Sequence, residues 1–390
     1  MEMSKKEQQV PTIRFKGFTE TWEQRKVREL FTVTRGQVLA ATRTKEKETN
    51  NFIYPVYSSQ TKNNGLMGFY DQYLFEDAIT WTTDGANAGT VNFRKGKFYS
   101  TNVNGVLLSD EGFANNAVAE IINKIAWKHV SKVGNPKLMN NVMAEITVAV
   151  PSIEEQNKLS SLFRQLDNTI ALHQRHLRNY KEFKKVMLQK IFSQEGEKVP
   201  EVRFDSFVEE WEQRKLGDIG SVAMNRRIFK EQTSDKGEIP FFKIGTFGGT
   251  PDAFISRDIF EEYKSKYPYP EIGDILISAS GSIGRTVEYT GKDEYFQDSN
   301  IVWVRHEGRI DNKFLKQFYS IVKWKGLEGS TIKRLYNKNI LDTTINLPSL
   351  PEQDKIGTFF DKLDNAIALH HRKVSDYQKL KDALLKQMFI

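Results

Sequence analysis

The chain of 390 residues contains no cysteine and only six histidines. The absence of thiols excludes disulfides and thiolate metal sites and fits a reducing compartment. The few histidines show no zinc-ligand spacing. Long hydrophobic runs are missing too: no stretch of 18 uncharged apolar residues exists, so no membrane span is expected. The start, Met1 to Gln9, lacks the apolar core of a secretory signal. These absences together give the expectation of a soluble, cytoplasmic protein. Nucleotide and methyl-transfer signatures are equally absent. Gly96-Lys97 is followed by Phe98 and lacks the preceding glycine of a Walker A loop. There is no Asn-Pro-Pro-aromatic or Asp-Pro-Pro-aromatic tetrad and no Gly-x-Gly-x-x-Gly after a strand. Pro251-Asp252 followed by Glu262-Tyr263-Lys264 has the outline of a metal-dependent nuclease motif. The same Glu-x-Lys recurs at Glu182-Phe183-Lys184 inside a helical pattern, so chance accounts for it. No catalytic residue and no metal site is expected on this chain.

What is present is an internal repeat. Pro151-Ser152-Ile153-Glu154-Glu155-Gln156 returns as Pro348-Ser349-Leu350-Pro351-Glu352-Gln353, 197 residues later. After each copy comes a long amphipathic pattern with the same punctuation: Leu166-Asp167-Asn168 and Leu363-Asp364-Asn365, then Ile170 to His173 and Ile367 to His370. A second block, Trp22 to Lys26, returns as Trp211 to Lys215. The organisation read from this is a first globular domain over 1–150, a long helix over 151–194, a second globular domain over 195–347 and a second long helix over 348–390. The formal net charge is +7. A basic balance permits a nucleic-acid partner, but residues 200–347 are close to neutral, so any DNA face there needs its charges sorted to one side.

Both helical copies open on a capping-box pattern, Ser152-x-x-Glu155 and Ser349-x-x-Glu352, in which the hydroxyl and the carboxylate are expected to satisfy opposite backbone N–H groups. Pro351 falls in the first turn, where its missing donor costs little. The apolar spacing then alternates four and three. One seam reads Leu159, Phe163, Leu166, Ile170, His173, Leu177, Tyr180, Lys184, Met187, Ile191. The other reads Ile356, Phe360, Leu363, Ile367, His370, Val374, Tyr377, Lys381, Leu384, Met388. Two matched seams in one chain predict that the helices pack on each other as a coiled coil. Parallel pairing would set Lys184 against Lys381; antiparallel pairing avoids that repulsion and is expected to place each lysine opposite an apolar residue. It also brings His173 and His370 near each other, as register-setting polar residues or, less simply, as metal ligands. About 32 residues at 1.5 Å each give a spacer of roughly 48 Å, with a pseudo-twofold axis relating two different globular ends.

Each globular domain reads as mixed strand and short helix. Strands are expected at Phe69–Tyr73, Ala78–Thr82 and Gly105–Leu108, and at Asp274–Ser278, Thr286–Tyr289 and Ile301–Arg305. Gly- and Asn-rich stretches between them read as exposed loops. Asn and Gln pair with adenine, Arg and Lys with guanine or phosphate. On that chemistry the candidate DNA contacts are Gln60, Lys62, Asn63, Asn64, Asn87 and Lys137 in the first domain. In the second they are Arg226, Arg227, Lys243, Ser280, Ser282, Arg285, Lys333 and Arg334. Lys137 and Arg334 read equally as solvated loop charges. Asn102 and Asn300, shared between the domains, read as scaffold. Lys323-Trp324-Lys325 offers a positive patch with stacking capacity.

The paired Pro-Ser-x-x-Glu-Gln starts, with Gly273 to Ser278, Gly281-Ser282-Ile283-Gly284 and Asn64 to Tyr70, resemble the specificity subunits of type I restriction-modification systems over nearly the whole length. That resemblance implies an α+β chain of two target recognition domains and two antiparallel spacer helices. It further implies that each domain reads one half of a split, asymmetric sequence in double-stranded DNA while the coiled coil fixes the gap. The chain itself would carry no cofactor. It would recruit two methyltransferase subunits using S-adenosylmethionine, and restriction subunits using ATP and Mg. Two other classes stay in view: a fused methyltransferase, and a coiled-coil adaptor that binds proteins only.

Overall fold

The computed structural model describes residues 10–59, 62–193, 196–327 and 333–390. Two compact units emerge: residues 1–174 with 372–390, and residues 175–371. The division falls inside both long helices, so each unit carries one half of each helix.

The first unit begins with β1 (Glu23–Lys26), α1 (Val27–Leu30) and β2 (Thr32–Arg35). It continues through β3 (Tyr54–Tyr57), β4 (Leu66–Tyr70), β5 (Phe75–Thr82), β6 (Val91–Ser100) and β7 (Asn104–Leu108). Six of these strands form a sheet in the order β2-β7-β5-β6-β3-β4, antiparallel except where β3 runs parallel to β6. The strand expected at Phe69–Tyr73 is shifted. Tyr70 pairs with Tyr54 at the end of the β3–β4 ladder, and Tyr73 lies beyond it with its ring 5.0 Å from that of Tyr54. The other two expected strands lie within β5 and β7. Alternation along β5 turns Ile79 and Trp81 to one face and Ala78, Thr80 and Thr82 to the other. Trp81 lies flat over Gly105, where a Cβ would stand 2.1 Å from the indole ring. Its Nε1 donates to the Leu138 carbonyl at 3.0 Å. Helix α2 (Asn116–Ala126) covers this face and is capped by Asn115, whose side chain accepts from the Val118 N–H. Then follow α3 (Asn140–Glu145), β8 (Thr147–Val150), which pairs with β1, and α4 (Ile153–Ile191).

The second unit repeats this plan with different filling. Its elements are β9 (Glu212–Lys215), α5 (Leu216–Ile219), β10 (Ser221–Ala223), β11 (Ile239–Phe242), β12 (Phe254–Ile255) and α6 (Arg257–Lys266). They continue with β13 (Ile275–Ser278), β14 (Thr286–Glu288), β15 (Tyr295–Phe296), β16 (Ile301–Arg305), α7 (Asn312–Ile321), α8 (Asn337–Leu341), β17 (Thr344–Leu347) and α9 (Leu350–Met388). The sheets are β10-β16-β13-β14, β12-β11-β15 and β17-β9. Where the first unit pairs Trp81 with Gly105, the second pairs Ile277 with Val302. A large-plus-nothing pair is exchanged for two middle-sized β-branched residues of similar total volume.

The repeated Pro-Ser-x-x-Glu-Gln segment is a packing hub in each unit. The Ser152 hydroxyl accepts from the Glu155 N–H at 3.4 Å. The expected return bond from the carboxylate is replaced: Glu155 is buried and held bidentately by Arg14 at 2.7 and 2.8 Å. Glu352 is held in the same way by Arg203, also at 2.7 and 2.8 Å. A buried carboxylate needs a full counter-charge, which one backbone N–H does not supply. The following glutamine is buried as well. Gln156 donates to the Pro151 carbonyl and accepts from Asn115; Gln353 donates to the Pro348 carbonyl and accepts from the Asp311 N–H. Each glutamine thereby ties its helix start to the cap of α2 or α7.

Within each unit the long helices run antiparallel. In the first, Phe163 meets Phe389, Asp167 meets Lys381 and His173 stacks on Tyr377. In the second, Lys184 meets Asp364, Phe183 meets Phe359, and His370 stacks on His176 and Tyr180. The seam lysines therefore do not face apolar residues. Each ammonium reaches the aspartate of a Leu-Asp-Asn motif at 2.6 Å, while its methylene stem lies along the seam. Leu159, Phe163, Leu166, Ile170, Ile356, Phe360 and Leu363 are buried. Leu177, Tyr180, Ile367, Val374 and Tyr377 are half-buried, as are both seam histidines, because at mid-length only the facing helix covers them. The helix ends dock again: Phe389 meets Trp22 edge-on at 6.2 Å, and Phe192 meets Trp211 edge-on at 6.4 Å. No described helix is long and apolar enough to cross a membrane.

Candidate nucleic-acid interface

Two loops carry the candidates of the first unit. In the turn Lys62–Gly65, whose Gly65 carbonyl accepts from the Ser58 N–H at 2.8 Å, Asn63 and Asn64 are exposed and both left-handed at φ 51°. Asparagine tolerates that region better than most residues, so the turn geometry alone accounts for both. Lys62 belongs to the same turn; Gln60 lies outside the described residues. The second loop, 83–89, is pinned by its backbone to the strand-like segment at Lys137: the Gly85 N–H meets the Pro136 carbonyl and the Leu138 N–H the Thr83 carbonyl. Asn87 is half-buried there, and Lys137 lies 3.7 Å from Asp84.

The second unit builds the matching loop from 279–285, pinned by the Leu335 N–H on the Ala279 carbonyl and a bridge between Ser280 and Arg334. Ser280 is buried and donates to Asn300 at 2.7 Å, so both hold the loop together. Asn102, the shared asparagine of the first unit, is instead exposed. The Ser282 carbonyl accepts from Ser278, which also takes the Arg285 N–H. Arg285 reaches across to the Phe247 carbonyl at 2.8 Å. Lys333 and Arg334 are exposed and make no ion pair among the described residues. Arg226 lies over the Tyr267 ring. Arg227 is bound to Asp298 at 2.9 Å, and Lys243 to Asp252 at 2.9 Å. Glu262 pairs with Lys266, and no cluster of three or more metal-ligating side chains gathers around Asp252 and Glu262 among the described residues. Trp324 packs at a tilt against Tyr319, 5.8 Å between ring centres, and crowds Gly284, so its ring is engaged within the unit.

Three of the cationic candidates, Lys137, Arg227 and Lys243, thus carry an internal carboxylate. A phosphate that engages them must displace it, which weakens sequence-independent attraction. One cation shows the opposite arrangement and was not singled out by the sequence. Arg94, in the middle of β6, is 7% exposed. Its Nε donates to Thr80 Oγ1 at 3.1 Å, and its guanidinium lies 3.8 Å from the centre of the Tyr57 ring. Burial pushes its pKa down; the Tyr57 hydroxyl opposes this, and no carboxylate contributes. Its sequence setting, Phe93-Arg94-Lys95-Gly96-Lys97, reads as an exposed hairpin tip. Only the fold brings Tyr57 of β3 over it.

Comparison with known proteins follows the repeat. A family model for the type I restriction modification DNA specificity domain matches residues 19–180 and again 208–376. A putative type I restriction enzyme specificity subunit of Haemophilus influenzae is 36% identical over 312 residues, covering 77% of this chain and 78% of that protein. A type I restriction enzyme specificity subunit of Methanocaldococcus jannaschii is 22% identical over 395 residues, covering 94% and 91%. Among solved structures, the S subunit of a type I restriction-modification system from M. genitalium shares the fold at a TM-score of 0.70 and 15% identity, over 98% of this chain and 99% of that one.

Proposed function

The chain belongs to the type I restriction-modification specificity family, whose members are non-catalytic DNA-recognition subunits, and on that footing we propose how this one divides its work. Each globular unit reads one half of a bipartite, asymmetric site in duplex DNA. The paired helices set the unspecified gap between the halves. The carrying observation is that one hub, Arg–Glu with a buried glutamine, is built twice while the sheets and loops around it differ. Shared architecture with different loops is what two readers of different sequences require.

Recruitment is read from large apolar side chains that the paired helices leave exposed, Phe183 among them although its ring also edges Phe359 of the facing helix. Leu172 and Leu380 are exposed in the first unit, and Phe183, Val186 and Leu369 in the second. Leu172 and Leu369 are equivalent positions of the repeat, as are Phe183 and Leu380. Large apolar side chains repeated on two exposed faces suit two copies of one partner, which we take to be the methyltransferase subunit. S-adenosylmethionine would be bound there, and ATP with Mg by restriction subunits added later. The whole would act in the cytoplasm. The candidate base and phosphate contacts remain those of the loops: Asn63, Asn64 and Lys137 are exposed and Asn87 half-buried in one unit, and Arg226, Arg227, Ser282, Arg285, Lys333 and Arg334 are exposed in the other.

The test is a methylation map. The chain is expressed with its methyltransferase subunit in a host lacking adenine methylation, beside a control without the chain. Two short specific blocks around a fixed gap are expected. Methylation that is unchanged when the chain is omitted refutes the reading and favours an adaptor that binds only proteins.

A further inference from the structure

Arg94 occupies a position for which the fold itself requires no charge. In the first unit Ala78 pairs with Arg94, and Thr80 with both Asn92 and Val106. In the second unit the corresponding ladder sets Leu276 against Val287 and Trp303, and two residues further on the Tyr289 N–H meets the Asp274 carbonyl. Tyr289 therefore stands where Arg94 stands. It is buried and neutral, with its hydroxyl bonded to Tyr269 and to the Lys292 carbonyl. Leu276 and Trp303 beside it belong to an apolar cluster with Phe242 and Phe296. The same sheet position is thus filled by an uncharged, hydrogen-bonded phenol in one unit and by a guanidinium in the other. A buried charge without an acid costs stability, and an apolar replacement generally does not. Arg94 is retained at that cost amid Ala78, Phe98 and Val106.

We propose that Arg94 is the guanine-reading side chain of the first unit, its guanidinium engaging N7 and O6 of a guanine in the half-site that unit recognises. The inference rests on the reading of each unit as a half-site reader. Its chemistry follows from how the fork is held. Thr80 takes the Nε N–H and the Tyr57 ring fixes the plane. Arg94 Nε is the guanidinium nitrogen with a hydrogen bond among the described residues, and neither Nη is among the buried atoms left without a partner, so the tip of the fork keeps contact with solvent and can meet two acceptors side by side, the arrangement guanine presents in the major groove. A phosphate needs only charge and is served by the exposed cations.

The experiment uses the full chain assembled with its methyltransferase subunits, on duplexes carrying the mapped site. Each guanine is replaced in turn by 7-deazaguanine, which lacks the N7 acceptor. With unaltered protein, one replacement in the first unit's half-site is expected to weaken binding about 10- to 100-fold. Arg94→Met is expected to melt no lower than the parent, to lose the same factor on the natural site, and to lose nothing more on the 7-deazaguanine duplex. Its methylation map should relax at one base pair of one half-site only. The proposal is overturned if no guanine of that half-site shows the effect, if Arg94→Met keeps the parent motif, or if Arg94→Met weakens all sequences equally with a shallower salt slope, which marks a phosphate contact. If Arg94→Met folds poorly, Arg94→Lys, which keeps the charge and loses the two-donor fork, takes its place: it should lose the 7-deazaguanine sensitivity, and a sensitivity equal to the parent's overturns the proposal. A bipartite motif indifferent to Arg94 sinks this inference alone; a methylation map indifferent to the chain sinks the functional reading beneath it.

Discussion

Removing Arg14 should unfold the base of the first unit without touching the second. Glu155 is 1% exposed and Arg14 14%, so solvent screens little of their attraction. Both hydrogen bonds are charge-assisted and bidentate. Arg14→Ala strands a buried carboxylate, for which the expected loss is about 3–5 kcal/mol. Replacing both partners, as Arg14→Met with Glu155→Met, removes charge and counter-charge together and should cost less than about 1 kcal/mol. A chain of two units does not melt in one step, so hydrogen exchange resolved by segment is the suitable assay. At about 1.4 kcal/mol per decade, amides of β1, β8 and the start of α4 should exchange roughly two to four decades faster in Arg14→Ala. Amides of β9, β17 and the start of α9, which rest on the equivalent Arg203–Glu352 pair, should be unchanged. An effect below about 1 kcal/mol, or a double variant as damaged as the single one, would falsify the claim that the pair works by mutual neutralisation.

Three further outcomes follow. Gly105→Val should be strongly destabilising, by more than about 3 kcal/mol, because its Cβ falls inside the Trp81 ring. Adding Trp81→Ile, which copies the Ile277–Val302 pair, should recover most of the loss in urea unfolding, and no recovery would mean the two units do not share this packing rule. Burial raises the Glu120 pKa, against the pull of Lys381. The native state then holds that proton more tightly than the unfolded chain, and stability falls as pH rises from about 4.3 through the raised value. Glu120→Gln should therefore melt higher than the parent at neutral pH and match it near pH 4; an equal gain at both pH values contradicts the assignment. Asp298→Asn frees Arg227 and should tighten binding to unrelated duplex DNA while steepening the salt slope by about one unit. An unaltered slope would place Arg227 away from the phosphates.

Features set by local chemistry were legible in the sequence. The two helices, their antiparallel sense and the special status of Pro-Ser-x-x-Glu-Gln follow from spacing and capping within a few residues. What escaped depends on partners far along the chain. Ser152-x-x-Glu155 has the spacing of a capping box whatever Glu155 does, and nothing near it announces Arg14, 141 residues away. Lys184 fits a seam by periodicity, while its partner Asp364 sits 180 residues on. Residue type marks a loop side chain as a possible DNA contact but does not register that Asp84, Asp252 and Asp298 pair with Lys137, Lys243 and Arg227. Arg94 is the sharpest case: its neighbours Lys95 and Lys97 favour exposure, and only the parallel β3–β6 pairing buries it.

The most direct test of two readers on one spacer is to lengthen the spacer and leave the readers alone. Seven residues of heptad sequence inserted between Gln174 and Arg175, and the same between His371 and Arg372, keep the helix contacts within each unit and add about 10 Å of helix. The methylation map should then show both half-site sequences unchanged and the gap between them longer, by no more than about three base pairs at 3.4 Å each. An altered half-site sequence, or an unchanged gap in a methylating complex, would contradict the account.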